Sequence, residues 1–584
     1  MRKRLLIERE SMQENKSYKG IVYQIYPRSF ADSNSDGIGD LEGIRRKIPY
    51  IASLGVNIVW LNPVYRSPNK DNGYDISDYF DIMDEFGTLA DFERMLADFH
   101  ASGIRVVMDL VVNHCSSESA WFRSARSSKD SPFRSFFIWK KSEGGPPNNW
   151  KSFFGGSAWE LVGDEYYLHL FHKNQPDLNW ENEGLRKEIY RIIRYWFEKG
   201  VDGFRMDAIT MISKDPSFRD LRRSESPYSP SAPFLNGPRL IEFLREMEAE
   251  AFDKYKPIKF GECPGVVLDN CLDYLGGEKP LFDLLFMGDI VDQDRSPTNK
   301  FLRLPFDLPR FKRSIAQWQN HLHGKGGNSF YLMNHDQPRS VSRFGDDRAF
   351  RVESGRALMM LQLSLEGTPF IYQGEEIGMT NAHFNDISMY RDVETLNYYE
   401  ERAFQGANPE ETMAQIMEMS RDNSRTPMQW TSEKNAGFSD GSPWIAVNQN
   451  YPTINVEAAE HDPDSILAFT RRMTKFRTAH SALVEGKMTL LASEAVDFFA
   501  FLMVADRETL LVMINFSGKE RPIVKCGERI LISTHTRDVG ALPCSSLLPW
   551  EGRIVAIGHG GGAFKLLAEE FDSFENALSK GRKQ

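Results

Sequence analysis

Short apolar runs alternate with longer amphipathic stretches along most of the chain. Ile21–Tyr26 ends at Pro27, and Ile44, Ile48, Ile51 and Leu54 then share one helical face that Gly55 closes. Ile58–Leu61 follows as a strand, Leu89–Ala101 as a helix stopped at Gly103, and Val106–Val112 as a third strand running into Asn113 and His114. Continuous apolar runs separated by helices are the pattern of buried strands in a parallel sheet. Val201–Asp207, Ile258–Glu262, Leu281–Phe286, Ser329–Met333 and Pro369–Tyr372 extend the series to eight strands. Eight strands with interleaved helices predict an α/β fold built on a (β/α)8 barrel.

The alternation breaks once and then ends. After the third strand comes a stretch rich in Gly, Pro, Asn and Ser, including GGPPNNW, which is too long for a bare connection and predicts an inserted small domain over 114–178. The chain resumes with a helix on which Leu185, Ile189, Ile192, Ile193, Trp196 and Phe197 form one stripe. Beyond 485 the runs shorten to segments such as LLVMINF and RIVAIGHG, which predict an antiparallel β-sandwich with a charged, amphipathic tail over 486–584. The barrel is then expected over 19–113 and 179–485, behind an N-terminal arm over 1–18.

A formal charge of −11 argues against a nucleic-acid partner and suits a neutral ligand. The five cysteines, at 115, 263, 271, 526 and 544, show no Cys-x-x-Cys spacing and are expected as reduced thiols. The basic start MRKRLLIERE turns charged after three apolar residues, so no signal-peptide core is expected. No apolar run is long enough to cross a membrane. A cytoplasmic protein, without membrane or nucleic-acid partners and monomeric, is the expectation.

Barrel enzymes place their chemistry at the carboxyl ends of strands. Here strand three ends in Asn113-His114, strand four in Arg205-Met-Asp207, strand five in Glu262 and strand seven in Asn334-His335-Asp336. Any one of these acids could merely cap the following helix; several at one mouth are harder to explain that way. Arg205 and Asp207, two apart on a strand, face the same side, and the guanidinium is expected to lower the pKa of Asp207, as a nucleophile requires. A general acid needs a raised pKa instead, the role expected of Glu262. Two such carboxyls about 5 Å apart would support a retaining double displacement.

DLVVNH (109–114), GFRMDA (203–208), FGE (260–262) and NHD (334–336) resemble, in order, the four signature regions of the α-amylase family of glycoside hydrolases, family 13. QPDLN (175–179), NGYDISDY (72–79), SRTPMQW (424–430) and NGPRLIEFL (236–244) are similar to segments of its oligo-1,6-glucosidase and α-glucosidase subgroup. The resemblance implies a retaining enzyme that removes terminal non-reducing glucose from small α-glucoside oligosaccharides, with no cofactor for catalysis. It implies Asp207 as nucleophile, Glu262 as acid/base and Asp336 as a third carboxylate that binds sugar hydroxyls and helps distort the ring. His114, Arg205 and His335 would contact the first glucose. Asp75 and Arg425 would close the pocket beyond it, making the enzyme exo-acting. Many relatives specific for α-1,6 bonds carry Val after the nucleophile; this chain has Ala208, which leaves α-1,4 bonds and sucrose open as substrates.

Asp32, Asn34, Asp36, Ile38 (through its carbonyl) and Asp40 place oxygens at alternate positions around Gly37, like the start of a calcium loop. A similar loop in relatives binds Ca2+ or Mg2+, so a structural ion is expected; the alternative is a turn closed by its own Asx side chains.

Two other functions compete. Sucrose isomerases and transglucosidases use the same intermediate but exclude water; they carry Arg-Leu-Asp-Arg where this chain has DQDRSPTNKFLRLPFD (292–307). Non-catalytic relatives serving as transporter subunits lose the acids that are all present here.

Overall fold

A computed structural model describes residues 19–227, 229–535, 540, 545–557 and 561–581. The expected arm over 1–18 and Cys544 lie outside the described residues. Eight strands form one parallel sheet: β1 (Val22–Ile25), β2 (Ile58–Leu61), β3 (Arg105–Val111), β4 (Gly203–Asp207), β5 (Ile258–Glu262), β6 (Leu284–Phe286), β7 (Ser329–Phe330) and β8 (Thr368–Tyr372). Their order is β6-β5-β4-β3-β2-β1-β8-β7, and each adjacent pair is parallel. The two ends meet without a backbone ladder; Ser329 Oγ donates to the carbonyl of Leu285 at 2.5 Å across the seam. β6 and β7 are shorter than their apolar runs predict, because each lacks a ladder partner on its seam side. Val22, Ile58, Trp60, Val107, Ile258, Phe260, Leu284 and Phe370 fill the barrel interior.

The surrounding helices follow local rules. Helix α1 (Leu89–Ala101) opens with a capping box between Thr88 and Asp91. Helix α2 (Glu183–Lys199) is capped by Asn182 and ends at Gly200, whose φ of 105° only glycine takes at no steric cost. Its apolar stripe, as predicted, is buried against the barrel.

The chain between β3 and α2 carries a helix, Ala120–Ser127, and a three-stranded antiparallel sheet of Trp139–Lys140, Trp159–Val162 and Glu165–Leu168. After α3 (Leu308–Leu322) and β8, a long excursion of helices brings Glu394, Arg421 and Arg425 back to the mouth.

The C-terminal region is a five-stranded antiparallel sheet of β9 (Lys487–Leu491), β10 (Phe498–Ala505), β11 (Glu508–Asn515), β12 (Ile530–Ser533) and β13 (Gly552–Ala556), in the order β9-β10-β11-β13-β12. Alternation along β10 sorts its two faces: Phe499, Phe501 and Met503 join the barrel core, while Phe498, Ala500 and Leu502 face away. Among the described residues the second layer is smaller than a full sandwich predicts. It consists of the two-residue strands Arg521–Pro522 and Ser546–Leu547 and the tail helix α4 (Gly561–Gly581), whose Phe571 stacks on Phe498 at 6.2 Å. Arg521 ties the layers together, meeting Asp497 at 3.0 Å and Glu575 at 2.5 Å.

Candidate active site

The carboxyl ends of the barrel strands surround a cavity of about 620 Å3, lined by Asp71, Tyr74, His114, Asp207, Glu262, His335, Asp336 and Arg421 among others. At its centre, β3 and β4 pair in a register that sets Asp109 beside Arg205. Arg205, 1% exposed, sends Nη1 to Asp109 (2.8 Å) and Asp207 (2.6 Å), and Nη2 to Glu262 (2.9 Å). One guanidinium therefore fixes both acids of the expected pair. Ala208, left-handed at φ 42°, turns its N–H onto Glu262 Oε2 at 2.9 Å.

Electrostatics separate the acids. Burial pushes Glu262 up to about 7; Arg205 opposes this, while the charges of Asp207 and Asp336 reinforce it. Asp207 departs from expectation: burial outweighs the pull of Arg205 and leaves it raised, at about 6. Asp336 goes the other way. Burial favours its neutral form, but His335, Arg421 and Arg425 together hold it well below the usual carboxylate range. Burial lowers His114 to about 4 and His335 to about 3, so both rings are neutral near pH 7. The Gln24 amide nitrogen, a donor only, meets His335 Nδ1 at 2.9 Å, which places the ring proton on Nε2, near Tyr74 Oη (2.8 Å) and Asp336 (3.1 Å). Tyr74 also stacks on His335, with ring centroids 5.3 Å apart.

The far end of the pocket corrects the expected Asp75–Arg425 closure. Asp75 is fully buried beneath the loop, accepting from Ser67 Oγ (2.9 Å) and from the N–H groups of Lys70 and Asp71 (both 3.0 Å). Arg425 lies behind Asp336, with Nη2 on its carboxylate (2.9 Å) and Nε on the His335 carbonyl (3.0 Å). The two do not pair. Asp71 and Arg421 line the cavity instead. Arg421 reaches Asp336 at 3.0 Å and Asp71 at 3.5 Å, and Gln175 Nε2 donates to Asp71 at 2.9 Å. Sequence reasoning missed Asp71, Arg421 and Tyr74 as pocket residues and Gln175 as the buried donor behind Asp71, although all four lie within or beside the segments NGYDISDY, QPDLN and SRTPMQW.

In the Asp32–Asp40 loop the side-chain oxygens are used by the turn. Asp32 accepts from the N–H groups of Asn34, Ser35 and Gly37 (2.9, 2.7 and 2.8 Å), Asn34 from Asp36 (2.9 Å), and Asp36 from Ile38 (2.8 Å). Asp40 caps the next helix through the N–H of Gly43 at 2.6 Å. Among the described residues no three His, Cys, Asp or Glu side chains converge closely enough to hold a metal ion.

A parallel barrel with acids at the ends of β4, β5 and β7, two of them on one arginine, defines a glycoside hydrolase. Residues 24–486 match the alpha-amylase catalytic domain, and the chain belongs to the alpha-amylase family. It is 48% identical to an oligo-1,6-glucosidase of Parageobacillus thermoglucosidasius over 92% of this chain and 98% of the relative. Among solved structures, a trehalose-6-phosphate hydrolase of Bacillus licheniformis superposes with a TM-score of 0.87 at 42% identity, covering 93% of this chain and 99% of that one. Isomaltulose synthase from Klebsiella superposes with a TM-score of 0.90 at 37% identity, covering 92% and 99%. Among the described residues no helix is long and apolar enough to cross a membrane.

Proposed function

We propose that this chain is a retaining, exo-acting α-glucosidase that removes the terminal non-reducing glucose from short oligosaccharides of the isomaltose type, with maltose-type α-1,4 bonds and sucrose as further substrates. The observation that carries this is the joint hold of Arg205 on Asp207 and Glu262, at 2.6 and 2.9 Å. Carboxyls on two nitrogens of one guanidinium suit the short separation of a retaining pair, about 5 Å, better than the wider spacing that leaves room for a water.

Asp207, ionised, attacks the anomeric carbon while Glu262 gives its proton to the glycosidic oxygen, and the leaving sugar departs. Glu262, now a carboxylate, takes a proton from water; the water oxygen attacks the same carbon and frees Asp207. Asp336, kept anionic by Arg421, Arg425 and His335, accepts from glucose hydroxyls. Arg421, standing between Asp71 and Asp336, supports a pocket closed beyond one glucose and so attack at chain ends.

The test is the product formed first. Isomaltose and maltose should each release the α-anomer of glucose, seen by proton NMR before mutarotation, and sucrose should give glucose and fructose. The Asp207→Asn protein should do neither. Release of the β-anomer would sink the retaining mechanism; an isomerised disaccharide from sucrose would favour the isomerase reading.

The Ca2+ or Mg2+ ion expected in the Asp32–Asp40 loop is a separate proposal, supported by the alternation of Asp32, Asn34 and Asp36 around Gly37. A thermal midpoint that falls on chelation and returns with Ca2+ is its check. Residence in the cytoplasm is likewise proposed, supported by the free thiols of Cys115, Cys263, Cys271 and Cys526, and cell fractionation tests it.

A further inference from the structure

Gln293 stands out among the cavity-lining residues. It is 8% exposed, and neither its amide nitrogen nor its amide oxygen has a hydrogen-bond partner among the described residues. A primary amide carries two donors and two acceptor sites, and burying it unpaired costs about 1–3 kcal/mol. Its charged neighbours each have a partner. Asp292 holds Arg295 at 2.9 Å, Asp294 holds Arg343, and Arg295 donates to Gln337 at 2.8 Å. Among the described residues of this segment, the Gln293 amide and Arg295 Nε are the buried side-chain polar atoms left without a protein partner, and only Gln293 has both its donor and its acceptor unpaired.

Its place in the barrel says what would meet it. Gln293 follows β6, and β6 pairs with β5 in a register that sets Phe286 beside Glu262. The glucose end of the cavity is built from Asp71, His335 and Arg421. Residues after β6 flank Glu262 on the side away from β4 and Asp207, where a leaving sugar protonated by Glu262 must lie. The cations of this wall stand beside acids: Arg295 pairs with Asp292 at 2.9 Å, Lys300 pairs with Glu394 at 2.6 Å, and Arg310, which has no ion pair among the described residues, is near enough to Asp289 to favour its charged form. This wall therefore suits an uncharged sugar better than a phosphorylated one.

We infer that Gln293 is a specificity-determining residue that hydrogen-bonds the hydroxyls of a neutral leaving sugar. The inference rests on the glucosidase reading above and adds the recognition of the leaving group.

The experiment compares the wild-type protein with Gln293→Met, which keeps the length and loses the amide, on three substrates: isomaltose, p-nitrophenyl α-glucoside, whose leaving group has no hydroxyls to read, and a 6-phosphorylated glucose disaccharide. The expected result is a fall of about five- to thirtyfold in kcat/KM on isomaltose. Activity on the nitrophenyl glucoside should stay within about twofold, which also reports an intact glucose end. The wild type should prefer isomaltose to the phosphorylated sugar. Equal losses on isomaltose and the nitrophenyl glucoside would assign Gln293 a structural role and overturn the inference, as would an unchanged rate on isomaltose. A wild-type preference for the phosphorylated disaccharide would overturn the neutral leaving group. A wild type inactive on all three would instead overturn the glucosidase reading itself.

Discussion

Glu262 Oε2 accepts the backbone N–H of Ala208 at 2.9 Å, so the candidate acid/base is held by the residue that follows the candidate nucleophile. Arg205 joins the same two acids from the other side. The pair is thus coupled in position and in charge, and its titration belongs to both members.

The coupling sets a pH profile. Activity needs Asp207 ionised and Glu262 protonated. kcat/KM should rise as pH passes about 6, where Asp207 loses its proton, and fall as pH passes about 7, where Glu262 does. A narrow bell with its maximum between those values is expected from initial rates on isomaltose. In Glu262→Gln the alkaline limb should disappear and the rate should drop by about 100-fold or more. A wild-type profile flat across both limbs would contradict the assignment.

Asp71 and Asp75 should fail differently. Asp71→Asn removes a carboxyl acceptor from the glucose end, one that burial raises to about 7 against the pull of Arg421 and Arg425, and is expected to lower kcat/KM on isomaltose by about 100-fold, with the thermal midpoint unchanged. Asp75→Asn breaks up a buried acceptor of three hydrogen bonds. It is expected to cost about 1–3 kcal/mol of stability, seen as a lower thermal midpoint.

Ala208 faces the cavity in a left-handed conformation, a poor setting for a β-branched side chain. Ala208→Val should lower stability by about 1–2 kcal/mol. It should also cut the ratio of maltose to isomaltose turnover by about tenfold. Parallel assays of the two sugars read the ratio directly, and an unchanged ratio would remove this position from linkage choice.

Lys312 is fully buried, and its Nζ donates to the carbonyls of Ala492, Ala495 and Phe498 at 2.7, 2.8 and 2.9 Å, joining α3 to the turn between β9 and β10. Lys312→Met strands three buried acceptors. Faster thermal inactivation is expected, with glucose release at 25 °C near the wild-type rate, since the residue lies outside the cavity lining.

All eight barrel strands were legible because buried parallel strands read as apolar runs. Their lengths at β6 and β7 were not, since apolar character records burial while a ladder needs a paired neighbour. Arg205, Asp207, Glu262 and Asp336 were legible because strand ends have a fixed place in a barrel. The far end of the pocket was not. It joins two loops some 350 residues apart, and each offers two candidates of the same type four residues apart: Asp71 and Asp75 in one, Arg421 and Arg425 in the other. Only the fold shows that the earlier of each lines the cavity and the later supports it. The rise in the Asp207 pKa was hidden for a related reason: spacing reveals the arginine, but burial depends on everything packed around it.

The unzipped seam between β6 and β7 has a bearing on how such an enzyme diversifies. Glu262 and Asp207 stand on strands laddered on both sides, where an altered loop disturbs two neighbours. The segment that meets the leaving sugar hangs from β6, which is laddered only to β5 and joined to the β7 side by the Ser329 hydrogen bond and the edge-on contact of Tyr331 with Phe286. Insertions and exchanges after β6 therefore strain fewer backbone bonds than changes elsewhere around the mouth. A lineage could acquire new leaving-group preferences there while the glucose-handling machinery is inherited unaltered.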